Sequence, residues 1–338
     1  MSKKFIVRII PVILMTAFLA LGIMFSGCRS DSYTDVSVVT ETGSGHEKKV
    51  IPQLESHLPE LAAGLGNTNT VLNILLDNIS DDTAQKFILY ISGIDVWGEQ
   101  EIVSRSDVNL LLSVNRTSGK IQMVNTPRDS YVLLPNSGDM RDKLTHAGLY
   151  GTDCSKRTLE NLYGIQIDYC LRTNFSGFEK FIDALGGIDV YSEQDFTVEP
   201  IKHYVKGMNH LTGLESLAFV RERKSFADGD YQRGRHQMEM AKAVVKAMSD
   251  AKTLANFSQY LKDIYGYYQT DIPDDLIRSI ALTELVKQTD WDIETYTTRG
   301  SGSYEPTFSV PSQSLYVTIL NEEDVKEGGE LLNKNIDR

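Results

Sequence analysis

Two short runs, Phe87–Ser92 (FILYIS) and Val108–Val114 (VNLLLSV), are apolar almost throughout. A run of that length with no wet face reads as a strand covered on both sides, which only helices packed on both faces of a sheet provide. The rest of the chain agrees. Ile121–Val124 follows the second run after a turn at Thr117-Ser118-Gly119-Lys120, which reads as a hairpin. Helical spacing at Asp153–Tyr163, a strand at Ile167–Thr173, a helix at Gly177–Leu185 and a strand at Ile188–Tyr191 then alternate. Leu214–Arg221 is read as an apolar strand at Leu217–Val220 leading into a loop. Tyr231–Met248 is a long helix, helices follow near 252–265 and 274–288, and Trp291–Thr298 is a late strand. The expected fold is an α/β sandwich, helix–sheet–helix, whose hairpin makes the central sheet mixed. The charged tail from Glu322 is expected to fray.

The N-terminus points to a membrane. Lys3, Lys4 and Arg8 precede an apolar run from Ile9 to Gly27, broken only by Pro11, Thr16 and Ser26. At about 1.5 Å per residue such a run spans roughly 28 Å, close to the hydrocarbon thickness of a bilayer. Basic residues before it and Arg29 alone just after it predict an inside N-terminus and an extracytoplasmic body. Phe25-Ser26-Gly27-Cys28 also resembles a lipobox, so a retained anchor and a lipid anchor at Cys28 both stand. The expected layout is a cytoplasmic tip and anchor over 1–29, a linker over 30–68 entered by a helix at Thr70–Asn78, a folded domain over 69–310 and a tail over 311–338. Cys154 and Cys170 could pair in an exported protein or stay as buried thiols.

The chain carries 34 Lys and Arg against 46 Asp and Glu, a net charge of −12. That balance argues against general nucleic-acid binding, which needs a basic face. It leaves room for a local cationic site, because screening confines distant carboxylates to about 8–10 Å. Residues 221–237 form such a spot, with five basic residues against three acidic ones. Arg221 and Arg223 lie two apart and share a side if extended; Arg233 and Gln237 lie four apart and share a helix face. Guanidinium forks match phosphate oxygens in pairs, so a few converging on one ligand would hold a pyrophosphate. Arg128, in Pro127-Arg128-Asp129 at a strand exit, and Lys143 supply further cations. Asp95 and Asp107 sit at strand ends that can face one crevice and share a hard cation such as Mg²⁺. Each of these residues alone would be an ordinary turn or surface charge; their recurrence at strand ends suggests one site. The chain has no CxxC, no HxxxH, no Walker loop and no G-x-S-x-G, so thiolate or imidazole metal centres, P-loop chemistry and serine-hydrolase chemistry find no support.

Taken together, several segments resemble the LytR–CpsA–Psr (LCP) family. They are Asp95, Arg105-Ser106-Asp107, Pro127-Arg128-Asp129 and Asp142-Lys143-Leu144-Thr145-His146-Ala147. Asn174-Phe175 with Asp183-Ala184-Leu185-Gly186-Gly187, and Arg221-x-Arg223 with Asp230-x-x-Arg233-x-x-x-Gln237, complete the set. Their order and spacing match over roughly residues 83–245. The resemblance implies an extracytoplasmic, membrane-anchored phosphotransferase. Such an enzyme moves an anionic glycopolymer from a polyprenyl (pyro)phosphate carrier to a muramic-acid hydroxyl of peptidoglycan, with Mg²⁺ assistance. By motif matching Asp95 and Asp107 would hold the metal. Arg128, Lys143, Arg221, Arg223, Arg233 and Gln237 would grip the phosphates, and Asp107 or Asp230 would accept the hydroxyl proton. Thr126, His236 and Met238 depart from the family's usual pattern. A lipid-pyrophosphate hydrolase and a non-catalytic glycopolymer-binding module are the competing readings.

Overall fold

The computed structural model describes residues 85–98, 104–247, 266–273, 276 and 291–338. The anchor, the linker and the expected helices at Thr70–Asn78, 252–265 and, apart from Leu276, 274–288 lie outside them. Among the described residues no helix is long and apolar enough to cross a membrane.

The central sheet takes its order from the apolar runs. Strand β1 (Lys86–Ile94) pairs antiparallel with β2 (Ser106–Asn115), and β2 turns through the expected hairpin into β3 (Lys120–Asn125). Asn115 Oδ1 accepts the backbone N–H groups of Thr117 and Ser118 at 3.1 Å each, which fixes that turn. Strand β6 (Tyr169–Asn174) lies parallel beside β1, and β12 (Asp292–Thr297) lies parallel beside β3. A short β11 (Tyr268–Thr270) closes the far edge antiparallel to β6, giving a mixed sheet in the order β11-β6-β1-β2-β3-β12.

Side chains alternate across this sheet and build two cores. Phe87 and Leu89 face a cluster completed by helices α3 (Phe175–Ala184), α4 (Gly213–Arg221) and α5 (Gly229–Ala247). Ile88 and Tyr90 face the opposite cluster, completed by α1 (Leu144–Ala147), α2 (Thr152–Tyr163) and α6 (Glu322–Asn335). The expected helix–sheet–helix layering is therefore present. Smaller antiparallel pairs complete the fold: β4 (Tyr131–Leu133) with β5 (Arg141–Lys143), β7 (Ile188–Ser192) with β10 (Gly207–Leu211), β8 (Phe196–Val198) with β9 (Lys202–Tyr204), and a ribbon of β13 (Gly300–Thr307) with β14 (Val310–Leu320).

Two readings are corrected. The segment Leu217–Val220 is helical, not a strand: Thr212 and Glu215 form a reciprocal capping box that starts α4, and such a cap stabilises a helix start by about 1 kcal/mol. The tail from Glu322 does not fray. Asn321 caps α6 by accepting Glu323 N–H at 2.8 Å, and Leu332 is fully buried against the sheet. Ser113 Oγ donates to Leu332 O at 2.7 Å and Asn335 Nδ2 donates to Ser113 O at 2.8 Å, so the helix is stitched to β2. Gly329 permits the contact, since a Cβ there would sit 2.2 Å from Tyr163 O. The charges of this segment face water, while Val325, Leu332 and Ile336 supply the apolar stripe. Of the two alternatives for the cysteines, Cys154 and Cys170 are both buried free thiols, and burial pushes Cys170 up to about 12.

Candidate active site

Strand direction decides where the chemistry gathers. β1, β3, β6 and β12 run one way and β2 runs against them, so the carboxyl ends of four strands and the start of β2 share one edge. Asp95 follows β1, Asp107 opens β2, Arg128 follows β3, and Asn174-Phe175 leads from β6 into α3. A register shift at Gly93/Ile94 bends the end of β1 just before Asp95. That edge is the usual ligand position in α/β sheets.

A cavity of about 430 Å³ opens there. Its mouth is lined by Asp95, Arg105, Asp107, Arg128, Arg221, Arg223, Arg233 and Gln237. Its depth, between the sheet and α3, α4 and α5, is lined by apolar side chains including Leu110, Leu171, Phe181, Leu217, Met240 and Val244. Five guanidinium groups thus face two carboxylates around one opening in a chain of net charge −12, with a greasy channel behind them.

The mouth is held by paired charges. Arg128 Nη1 donates to Asp107 Oδ2 at 2.7 Å, and Thr145 Oγ1 donates to Asp107 Oδ1 at 3.0 Å. The Nε of Arg128 lies 3.6 Å from Asp129 Oδ2, and Lys143 Nζ donates to Asp129 Oδ1 at 2.9 Å. Burial works against the Arg128 charge, but Asp107, Asp129 and Asp230 outweigh it and raise its pKa. Burial likewise opposes ionisation of Asp129, and the Lys143 bond with the Lys143 and Arg128 charges overrides it, lowering its pKa.

The second wall comes from α4 and α5. Arg221 closes α4, with its guanidinium 4.2 Å from the Phe175 ring centroid and 3.9 Å from Asp95 Oδ1. Arg223 and Arg233 reach Asp230 Oδ1 at 3.7 and 3.3 Å. Arg233 is nearly buried, and burial first, then Arg128 and Arg223, lowers its pKa despite Asp230 and Asp107. A guanidinium stripped of water and crowded by like charge favours a bound anion. Gln237 donates to Val220 O at 3.4 Å and accepts from Asn125 Nδ2 at 3.3 Å, which ties α5 to α4 and β3.

All but two of the expected site residues meet at this opening. Asp230 stands just behind Arg223 and Arg233, and Lys143 sits behind Arg128 through Asp129. Arg221 and Arg223 both line the cavity; α4 ends at Arg221 and Glu222 is extended. Arg105, Thr145 and Phe175 received no role from the sequence, although Arg105 and Phe175 line the cavity directly. The Arg-x-Asp spacing of Arg105 and Asp107 was the available signal. Asp183 proves structural: its Oδ1 accepts Gly213 N–H at 2.7 Å and joins α3 to α4.

His236, where the family pattern favours an arginine, is buried between Phe219 and Phe196 at ring-centroid distances of 4.1 and 5.2 Å. Its Nδ1 lies 3.1 Å from Phe219 O and its Nε2 lies 2.9 Å from Gln232 Nε2. A neutral ring donating at Nδ1 and accepting at Nε2 satisfies both partners, and burial lowers its pKa to about 4. It adds no charge to the mouth.

The LytR_cpsA_psr family model matches residues 39–326. The chain belongs to this family. Among its relatives, the polyisoprenyl-teichoic acid–peptidoglycan teichoic acid transferase TagU of Bacillus anthracis is 33% identical over 184 residues, covering 54% of this chain. That match spans 59% of the TagU length. The corresponding transferase TagT of Bacillus subtilis (strain 168) is 32% identical over 241 residues, covering 63% of this chain and 71% of TagT. B. subtilis TagV superposes with a TM-score of 0.62 at 26% identity, over 75% of this chain and 98% of TagV. A structure of TagT bound to LI-WTA superposes with a TM-score of 0.58 at 27% identity, over 75% of this chain and 92% of that one. The motifs by which the chain resembles the LCP family thus lie on an LCP fold.

Proposed function

We propose that this LCP protein is an extracytoplasmic phosphotransferase. It moves an anionic glycopolymer from a polyprenyl (pyro)phosphate carrier to a hydroxyl of peptidoglycan through a phosphodiester bond. The observation that carries this reading is the single opening in which a cationic mouth leads into an apolar channel. A lipid diphosphate has that same division, an anionic head and an apolar tail. The names of TagU and TagT, and the ligand of TagT, point to the polymer class and the acceptor. The apolar run at Ile9–Gly27, or a lipid on Cys28, would keep the site beside the membrane that delivers such a donor.

Phosphoryl transfer asks mainly for positioning and charge neutralisation. Arg128 and Arg233, both constrained by carboxylates and partly or fully buried, bind the diphosphate, while the more exposed Arg221 and Arg223 close over it with Gln237. Lys143 acts through Asp129, holding Arg128 in place. The acceptor oxygen attacks the sugar-linked phosphorus, the bridging P–O bond breaks, and polyprenyl phosphate departs with its charge balanced by the arginines. Asp107 already accepts bonds from Arg128 and Thr145, whereas Asp230 Oδ1 is buried without a hydrogen bond. Asp107, on the opening, or Asp230, behind Arg223 and Arg233, accepts the hydroxyl proton, and Asp107 also orients Arg128.

Two carboxylates in one cavity fit Mg²⁺, which takes oxygen ligands and completes its shell with phosphate oxygens and water. Asp95 and Asp107 would hold it. Bound there, Mg²⁺ would supply Lewis-acid neutralisation of the diphosphate.

Product analysis tests the reading. Full-length protein supplied with lipid-linked glycopolymer and peptidoglycan yields glycan joined covalently through a phosphodiester, and EDTA stops the reaction until Mg²⁺ is returned. Glycan phosphate released to solvent would instead identify a hydrolase. Binding with no product would identify a glycopolymer-binding module.

A further inference from the structure

The β13–β14 ribbon lines no part of the cavity, yet it is fastened to the residues that do. Thr318 N–H donates to Asp129 O at 2.8 Å, next to Arg128, and Ser130 bridges Thr318 in parallel. At the same end of the ribbon the Tyr231 hydroxyl, next to Asp230, exchanges hydrogen bonds with Gly300 N–H and Gly300 O at 2.7 and 2.9 Å. Further out, Tyr131 Oη donates to Pro306 O at 2.8 Å and Phe308 N–H donates to Arg141 O at 3.0 Å. The ribbon is thus a fixed wall that starts at the catalytic mouth and runs outward.

Among the described residues, part of one face is open to solvent. Residues directly opposite in an antiparallel pair share a face, as do residues two apart. Gly300, Gly302, Tyr304 and Pro306 therefore lie with Leu320, Thr318, Tyr316 and Ser314; Thr318 is buried and Leu320 packs against the core, so the exposed stretch of this face runs from Gly302 to Pro306. Tyr304 is 71% exposed and Tyr316 45% exposed. Their rings meet edge to face at 5.8 Å. Gly302 leaves room for the Tyr316 ring to lie across the ribbon, since a Cβ there would sit 2.9 Å from its Cε2. Leaving two large rings in water forgoes burial that a monomeric fold could use, and their rigid mounting suits recognition.

We propose that this face is the acceptor subsite, where a glycan strand of pyranose rings lies on Tyr304 and Tyr316 with its reactive hydroxyl directed toward Arg128 and Asp230. The proposal rests on the transferase reading and extends it to where the second substrate binds. The chemistry of the face selects the occupant. A pyranose presents a flat C–H face edged with hydroxyls, which suits a tyrosine's apolar ring and polar tip. None of these eight residues is charged, whereas an anionic polymer or a lipid surface would call for basic residues. Position agrees as well: the four residue steps from Gly300 to Tyr304 extend about 13 Å, a span of a few sugar rings. An acceptor lying there stays outside the channel that takes the donor.

The test uses the full chain in detergent, with the N-acetylglucosamine tetrasaccharide as a soluble probe and a polyprenyl diphosphate as a separate ligand. Wild-type protein is expected to bind the tetrasaccharide. Tyr304→Ala/Tyr316→Ala is expected to lose about tenfold in that affinity and to raise the acceptor KM by a similar factor, roughly 1.4 kcal/mol. Affinity for the diphosphate stays at the wild-type value, and Tyr316→Phe, which keeps the ring, binds the tetrasaccharide as wild type does. A wild-type protein that ignores the tetrasaccharide, a double variant that binds it equally well, or a loss confined to kcat overturns the proposal. Absent turnover in a wild-type protein whose tetrasaccharide binding depends on both tyrosines would instead sink the transferase reading and leave the sugar site standing.

Discussion

Arg128→Ala is expected to slow glycopolymer transfer by on the order of 10³-fold, the scale seen when an arginine that neutralises a transferring phosphoryl group is removed. Arg128 forms the shortest charge pair among the cavity-lining residues, 2.7 Å from Asp107, and three carboxylates raise its pKa despite its burial. No other cation is fixed to the residue at the start of β2 in this way. The fold should survive the change. Asp107 keeps its bond from Thr145 and Asp129 keeps its bond from Lys143, so neither carboxylate is left without a partner. Arg128→Lys should recover only part of the rate, because an ammonium cannot engage Asp107 and two phosphate oxygens as a planar fork does. Single-turnover rates with saturating donor, alongside thermal melting, check both variants. An Arg128→Ala protein that melts normally and transfers at the wild-type rate would show that the site has been assigned to the wrong residues.

The second large effect concerns the tail rather than the head. Ala241 lies on α5 among the residues that line the channel, and it is only partly buried. Ala241→Trp places an indole in that space. Burying a methylene contributes about 0.8 kcal/mol, so excluding even a few isoprene carbons should weaken a long-chain diphosphate by on the order of 100-fold. A diphosphate with a short tail meets only the arginines and should bind the variant and the wild type alike. Because the added ring enters open space rather than a filled core, the melting temperature should fall little; overpacking a closed core would cost about 1–3 kcal/mol. Direct binding measurements with long and short chains check this. Equal weakening of both ligands would place the tail elsewhere.

The sequence disclosed the sheet more readily than its surroundings. Runs such as Phe87–Ser92 are apolar on both sides because helices cover both sides, and that covering is what made the layering legible. Leu217–Val220 is apolar for a different reason: it sits where α4 meets the sheet, and four buried residues in a row carry no period from which to choose helix over strand. The clue lay upstream, in Thr212 and Glu215. The C-terminal helix was hidden by its acidic first turn and paired glycines, which lower helix propensity yet here allow contact with Tyr163. The ribbon at 300–320 went unread, its alternation interrupted by Pro306 and Pro311.

The charged half of the site was legible for another reason. Arginines and aspartates at strand ends are few, and the topology sends those ends to one edge. The apolar half was not, because Leu217, Met240 and Val244 look in sequence like any core residue. Only the gap between helices and sheet distinguishes a channel lining from packing. Lys143 shows the converse limit. As a cation in a matching motif it was expected to grip phosphate; the structure places it off the cavity lining, donating to Asp129 at 2.9 Å, a contact that the sequence does not display.

A crystal structure of the protein with a polyprenyl diphosphate bound tests the account most directly. The account predicts phosphate oxygens within about 3 Å of the Arg128 and Arg233 guanidinium groups, and the isoprenoid chain running between Leu217 and Met240. Phosphates held on another surface, with the channel still open and those arginines making no contact, would contradict it.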